Sequence, residues 1–247
     1  MKKQFQILAA TFITVAFISC SKESAEISEQ QQMSAEEQTA SNKPGGPITI
    51  DPLSVKLDAW FTFNNHLKDA TGKLADGVSI GTSAKYITDR KGNRYSALKP
   101  DGSFHVKILN VPQQTNTSIS VWVKTADLNQ NKGIVNGNTQ GLFVVQNPNK
   151  YVGGLTLVPP GGISITTALP KDIVNNAWHH IALTYDGAAM KFYFDGALTG
   201  TTNLPGSIAA SLANYIVANG FWKGAVDDLR FYSRTLSATD VQKLFNQ

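Results

Sequence analysis

"AWHHIALTYDGAAMKFYFDG", residues 177–196, is the stretch that decides the fold. From Trp178 to Tyr185, and again from Met190 to Phe194, the side chains recur with a period near two, the pattern of a β-strand. Asp186-Gly187 turns the chain after the first run and Asp195-Gly196 after the second. On a strand, neighbouring side chains point to opposite faces. His179 therefore goes with Ile181, Leu183 and Tyr185, and His180 with Trp178, Ala182 and Thr184. The two imidazoles diverge and cannot chelate one ion. Helical spacing of i and i+4 would have brought such a pair together, but the Asp-Gly turn comes too soon. Each histidine is expected to have its own hydrogen-bond partner.

The same period continues on both sides. Candidate strands are Leu57–Phe63, Arg94–Leu98, Ser103–Ile108, Ser118–Lys124, Gly133–Val135, Leu142–Gln146, Gly154–Val158, Ile163–Thr167, Trp178–Tyr185, Met190–Phe194, Tyr215–Ala218 and Gly224–Tyr232. Turn chemistry separates them at Asp101-Gly102, Asn136-Gly137, Asn147-Pro148 and Pro159-Pro160-Gly161-Gly162. Many short strands with such connections predict an all-β sandwich of two antiparallel sheets. No 20–50-residue period repeats along the chain, which argues against a propeller or solenoid. One helix is expected at the C-terminus. Ser237-Ala-Thr-Asp240 is a short-carboxylate form of the capping box, and Val241, Leu244 and Phe245 follow as an apolar stripe.

The N-terminus reads differently. Lys2 and Lys3 precede an apolar run from Ile7 to Ile18, too short and wrongly flanked for a membrane span. Phe17-Ile18-Ser19-Cys20 resembles the lipobox of bacterial lipoproteins, with Phe17 where Leu is usual. Cys20 is the one cysteine of the chain, so no disulfide is available and lipid attachment is the expected role. By resemblance to Gram-negative lipoprotein sorting, Ser21 permits transfer to the outer membrane. Residues 1–20 are thus read as a lipoprotein signal and 21–50 as a flexible tether rich in Ser, Glu and Gln, leaving 51–247 as the folded body. Membrane contact is expected through the lipid anchor alone.

Charge is uneven. Ser21 to Ile50 holds five Glu against two Lys, whereas the body has eighteen Lys or Arg against thirteen acids. The basic residues are scattered, which argues against a nucleic-acid partner. All thirteen body acids are Asp, and no Glu follows Glu37.

Three segments carry a resemblance to a known superfamily. "NAWHHIALTYDGAAMKFYFDGALTG" is similar to the signature hairpin of laminin-G-like, concanavalin A-like domains. "WKGAVDDLRFYSRTLSATDVQKLF" resembles their closing strand and helix, and "LDAWFTFNNHLKDATGK", "SALKPDGSFHVKI" and "TSISVWVK" resemble their opening segments. The resemblance spans Leu57 to Phe245 and implies a jelly-roll sandwich. The superfamily includes glycan-binding lectins, calcium-dependent adhesion modules and β-glucanases.

The glucanase branch uses a pair of Glu, which this body lacks, and retaining hydrolysis needs two carboxyls about 5–5.5 Å apart. Asp227-Asp228 is the one adjacent acid pair of the body, and strand parity sends the two to opposite faces. No Ser-His-Asp or Cys-His constellation is readable. An enzyme is not expected.

Asp227 shares parity with Ala225, Leu229 and Phe231, so it is expected to point inward, where a carboxylate needs compensation. One reading has it tie down backbone N–H groups or an Arg or Lys near a sheet end. The other joins it to Asn64 and Asp69 of the first loop around a structural Ca²⁺, as related domains imply. Among aromatics, Tyr151, Phe221 and Trp222 lie in or near loops and are the candidate ligand-binding platforms. The expected function is a non-catalytic binding module for a glycan. The alternative is a structural or adhesion protein that binds a cell-surface protein, and a glycoside hydrolase comes third.

Overall fold

The quoted hairpin forms strands β11 (His179–Tyr185) and β12 (Ala189–Phe194). They pair antiparallel with Ile181 opposite Phe194, Leu183 opposite Phe192 and Tyr185 opposite Met190. The structure is a computed structural model that describes residues 50–127, 129–137, 141–147, 150–157, 165–168 and 175–247. Cys20, the signal segment and the tether up to residue 49 lie outside the described residues.

Around the hairpin the chain builds β1 (Leu57–Phe61), β2 (Val78–Gly81), β3 (Tyr86–Ile87), β4 (Ala97–Leu98), β5 (Phe104–Gln113), β6 (Thr117–Lys124) and β7 (Lys132–Gly137). It continues with β8 (Gly141–Asn147), β9 (Lys150–Thr156), β10 (Ile165–Ala168), β13 (Ala197–Asn203), β14 (Ser211–Val217) and β15 (Ala225–Tyr232). The first sheet runs β13-β12-β11-β6-β15-β4-β3, with β1 also paired to β15. The second runs β10-β9-β8-β7-β14-β5-β2. All pairings are antiparallel, as in a jelly roll.

Alternation places one set of side chains from each sheet in the interior. Ile119, Val121 and Val123 of β6, Ile181, Leu183 and Tyr185 of β11, and Phe104, Val106 and Ile108 of β5 meet there, fully or almost fully buried. A second, smaller cluster lies outside the first sheet. Here α1 (Ala238–Phe245) and Leu236 pack Val241 and Leu244 against Ala182, Tyr193 and Tyr232, with Leu53 alongside. The capping box starts this helix as expected. Ser237 Oγ accepts from Asp240 N at 3.1 Å, and Asp240 Oδ2 accepts from Ser237 N at 3.1 Å.

The edges differ from the sequence expectation. β2, β3 and β13 have no counterpart among the candidate strands. "ALTGTTN" of β13 carries little apolar signal because most of it faces solvent. β1 ends at Phe61 rather than Phe63, because Phe63 takes a φ of 51°, outside the strand region.

Candidate functional site

Strand β15 departs from simple alternation. Val226 pairs with Val123 and Asp227 with Trp122, but Arg230 pairs with Ser120. One extra residue is therefore inserted between Asp227 and Arg230, a β-bulge in which Asp228 has a φ of 45°. The bulge resets the faces. Val226, Leu229 and Phe231 point into the core. Asp227 lies instead on the outer face of the first sheet, opposite Trp122. The expected inward placement of Asp227 is corrected accordingly, and so is the divergence of Asp227 and Asp228. Both carboxylates reach one guanidinium: Arg90 Nη1 donates to Asp227 Oδ2 at 2.7 Å, and Arg90 Nη2 lies 2.6 Å from Asp228 Oδ2.

Arg90 is delivered by a turn. Asp89 Oδ1 accepts from the N–H groups of Lys91 and Asn93, both at 2.8 Å, and Asp89 Oδ2 accepts from Asn93 Nδ2 at 2.8 Å. Gly92, at a φ of 90°, supplies the left-handed residue of that turn. The Arg90 guanidinium then stacks over Trp122 at 4.6 Å, and Arg230 stacks over Trp60 at 4.4 Å. Trp60 Nε1 donates to Asp228 Oδ1 at 2.8 Å, which ties β1 to the bulge. Trp60, Asn64, Arg90, Asp227, Asp228 and Arg230 line a cleft of about 210 Å³. Burial and the charge of Asp228 push the Asp227 carboxyl up to about 7, against the pull of Arg90.

This geometry decides between the two readings of Asp227. Its compensating cation is Arg90, and Asp227 Oδ1 accepts from Asp228 N at 2.8 Å. Asp69 is committed elsewhere. Its Oδ1 accepts from Trp60 N at 2.8 Å and Thr71 N at 3.1 Å, and its Oδ2 from Thr71 Oγ1 at 2.6 Å, Lys73 N at 3.0 Å and Leu74 N at 2.9 Å. Burial raises its pKa, but the bonds from Thr71, Trp60 and Leu74 outweigh that and hold it below the ordinary value. Asn64 lines the cleft with Asp227, whereas Asp69 does not. The donor set Asn64, Asp69 and Asp227 does not fit a calcium ion, because the oxygens of both aspartates are already taken up. Among the described residues, no group of three or more His, Cys, Asp or Glu is placed to hold a metal.

The histidines separate as strand parity requires. His179 Nδ1 lies 2.9 Å from Asp195 Oδ2 and its ring stacks on Phe194 at 4.7 Å. His180 is fully buried between Trp122 and Phe245, with Nε2 2.9 Å from Ser120 Oγ. Burial drives its pKa down to about 3, so the imidazole is neutral.

Two of the three aromatic platforms are corrected. Tyr151 belongs to β9 and is fully buried in the core. Trp222 is also fully buried, with Nε1 donating to Gln146 Oε1 at 2.8 Å. Only Phe221 is presented, 46% exposed and edge-on to His105 at 5.8 Å. It stands at the rim of the second sheet's outer face. That face carries Val78, Ile80, Lys107, Ile216 and Leu212 by register with its neighbours. Phe143 of β8 lies there too, its ring over Gly154, where a Cβ would come within 2.1 Å of Phe143 Cζ.

The sequence reading missed Arg90, Trp60 and Arg230. The Asp89-Arg-Lys-Gly-Asn93 turn and the need of Asp227 for a cation were the available signals.

Two stacked antiparallel sheets closed by a short helix define a lectin-like jelly-roll sandwich. The chain belongs to the concanavalin A-like lectin/glucanases superfamily, whose sequence profile matches residues 91–242. Domain 4 of AbnA, a GH43 extracellular arabinanase from Geobacillus stearothermophilus, in complex with arabinotriose, is 22% identical. The match covers 76% of this chain and 98% of that domain, with a TM-score of 0.56. The botulinum neurotoxin serotype D ligand-binding domain in complex with N-acetylneuraminic acid is 15% identical over 77% of this chain and 50% of its own, with a TM-score of 0.63. These likenesses are of fold. In sequence, adhesion G-protein coupled receptor V1 of Danio rerio is 25% identical over 188 residues, 68% of this chain. The chain spans only 3% of the length of that receptor.

Proposed function

We propose that this chain is a lipid-anchored protein of the bacterial outer membrane whose sandwich is a non-catalytic module for binding glycans. The observation that carries the binding reading is the outer face of the second sheet. It exposes Phe221, Val78, Ile80 and Leu212, and no described helix packs on it. Half-exposed rings beside polar groups suit the apolar face and hydroxyl edge of a sugar. Superfamily membership and relatives solved with arabinotriose and N-acetylneuraminic acid support the glycan class. The non-catalytic part rests on the absence of Glu after Glu37 and on the engagement of both Asp227 and Asp228 by Arg90. The exposed apolar strip also supports a second reading, in which the same face binds a cell-surface protein.

A glycan array with the purified chain separates the two. Binding of a defined glycan, weakened by Phe221→Ala without loss of thermal stability, is the expected result. An array without signal, together with capture of one envelope protein, would favour the adhesion reading. For the anchor, Cys20→Ala is expected to release the protein from the membrane fraction or block its processing. Unchanged fractionation at mature size would remove the lipoprotein part.

A further inference from the structure

A second cleft opens at one end of the sandwich, separate from the Asp227 cleft. It is about 270 Å³ in volume and lies between the end of β6, the segment before β5 and the residues that lead into β15. That volume is near the lower end of small-molecule sites, which run from roughly 300 to 1,000 Å³. Its charge is unusual. Lys99, Lys124 and Lys223 all line it, together with Asp101 and Asp127. Asp101 is already committed: its Oδ2 pairs with Lys85 Nζ at 2.5 Å, and its Oδ1 accepts from Ser103 N and Ser103 Oγ at 3.0 and 2.6 Å. Neither aspartate pairs with a lysine of the cleft. Among the described residues, Lys99, Lys124 and Lys223 take part in no ion pair.

Buried side chains fix the walls. Gln130 is buried and grips the main chain of Lys223 from both sides. Its Oε1 accepts from Lys223 N at 2.8 Å, and its Nε2 donates to Lys223 O at 2.6 Å. Thr125 Oγ1 donates to the same carbonyl at 2.9 Å. Buried Gln146 holds the opposite wall through its Nε2, which donates to Asp127 O at 2.6 Å. The stem of Lys223 lies beside Gly102, where a Cβ would come within 3.0 Å of Lys223 Cε. Buried amides thus fix the main chain of Lys223 and Asp127, and Lys99, Lys124 and Lys223 line the opening beside it. With Asp101 already paired to Lys85, the three lysines outnumber the remaining cleft carboxylate, Asp127, and the opening carries a net positive charge that favours an anion.

The geometry points to this cleft as a subsite for the acidic group of an anionic saccharide, a carboxylate or a sulfate. The inference rests on the glycan-binding reading and gives that glycan its charge. Lys99 and Lys223 are exposed, so the opening admits a group carried on a longer chain. Attraction of this kind weakens with salt, because solvent-exposed charges are screened.

The test uses the full chain in detergent and titrates three oligosaccharides of equal length by calorimetry: a polyuronate, a sulfated glycan and a neutral one. The expected result is that at least one acidic ligand binds more tightly than the neutral one, and that added salt weakens it. Lys99→Ala/Lys124→Ala/Lys223→Ala should weaken that binding about tenfold or more, as loss of a charge-paired subsite implies. The corresponding triple Arg variant should keep it. A control that removes equal charge elsewhere, Lys56→Ala/Lys68→Ala/Lys243→Ala, should leave it within about twofold. The carboxylate and sulfate arms decide which acid the cleft prefers. Equal affinity for neutral and acidic ligands, or an Ala variant that binds like the parent, overturns this inference and leaves glycan binding standing. Silence from all three ligands on the titration and the array overturns both.

Discussion

The outer faces of the two sheets started from the same architecture and ended differently. On the first sheet, α1 and Leu236 cover one part of the face and Arg90 covers another. Trp122 is sandwiched between the Arg90 guanidinium and the Phe245 ring, which stacks on it at 5.7 Å. His180 is sealed beside them. On the second sheet no described helix covers the outer face, and among the described residues Phe221, Ile80 and Leu212 meet solvent. The covered face is held by stacked rings and by Arg90, which bridges Asp227 and Asp228. The open face is the one proposed above to bind a ligand. A polar group such as Asp227 can therefore be the more conspicuous feature in the sequence and still serve the fold.

The sharpest way to break that contrast is at Arg90. Arg90→Met should leave the buried Asp227 carboxyl without its cation and Asp228 with only Trp60 and the more distant Arg230, and destabilise the body by about 3–5 kcal/mol in urea unfolding, the usual cost of removing one partner of a buried pair. Adding Asp227→Leu to it should recover much of that loss. A change below about 1 kcal/mol on Arg90→Met would show that the covered face does not depend on this pair.

The next effect is in pH. The unfolded chain protonates His180 near its ordinary value of 6.5, whereas the folded protein resists until about 3. Its contribution is complete above pH 6.5 and is lost as pH falls toward 3, by several kcal/mol. His180→Gln should flatten that acid limb. Asp227 runs the other way, since its folded value is raised to about 7. Its contribution is complete below 3.8 and is lost as pH rises through 7, so Asp227→Asn should remove a separate, alkaline-going loss. Urea midpoints at stepped pH for both variants would read the two slopes, and unchanged profiles would remove these residues as their source.

The smallest expected effect is that of calcium. A ligand bound only to the folded state would raise the melting temperature by mass action. Because Arg90 and backbone N–H groups already occupy Asp227 and Asp69, EDTA and added Ca²⁺ should each leave the melting temperature unmoved. A clear fall with EDTA, restored by Ca²⁺, would overturn this reading of the two aspartates.

Strand alternation and turn residues made most of the sandwich legible. The parity of β11 separated His179 from His180, and Asp-Gly pairs ended β11 and β12 where the structure ends them. The capping box at Ser237 and Asp240 placed the helix. These features are local. A period of two, a turn and a cap each depend on residues within a few positions of one another. The edge strands β2, β3 and β13 escaped because a half-solvated edge has no strong apolar pattern to read.

The site was decided elsewhere. One extra residue at Asp228 reversed the face on which Asp227 points, and a bulge has no sequence signature strong enough to separate it from regular alternation. The partner of Asp227 lies 137 positions away at Arg90, and that of Trp222 lies 76 positions away at Gln146. Tyr151 and Trp222 read as exposed because they flank turns, yet the packing of the two sheets buries both. Local pattern determined which elements form in this chain. Only the meeting of distant segments decided which charges are neutralised, which rings are buried and which face is left open. Burial and charge pairing depend on what lies across the interface, and the sequence around a residue does not contain its neighbours in space.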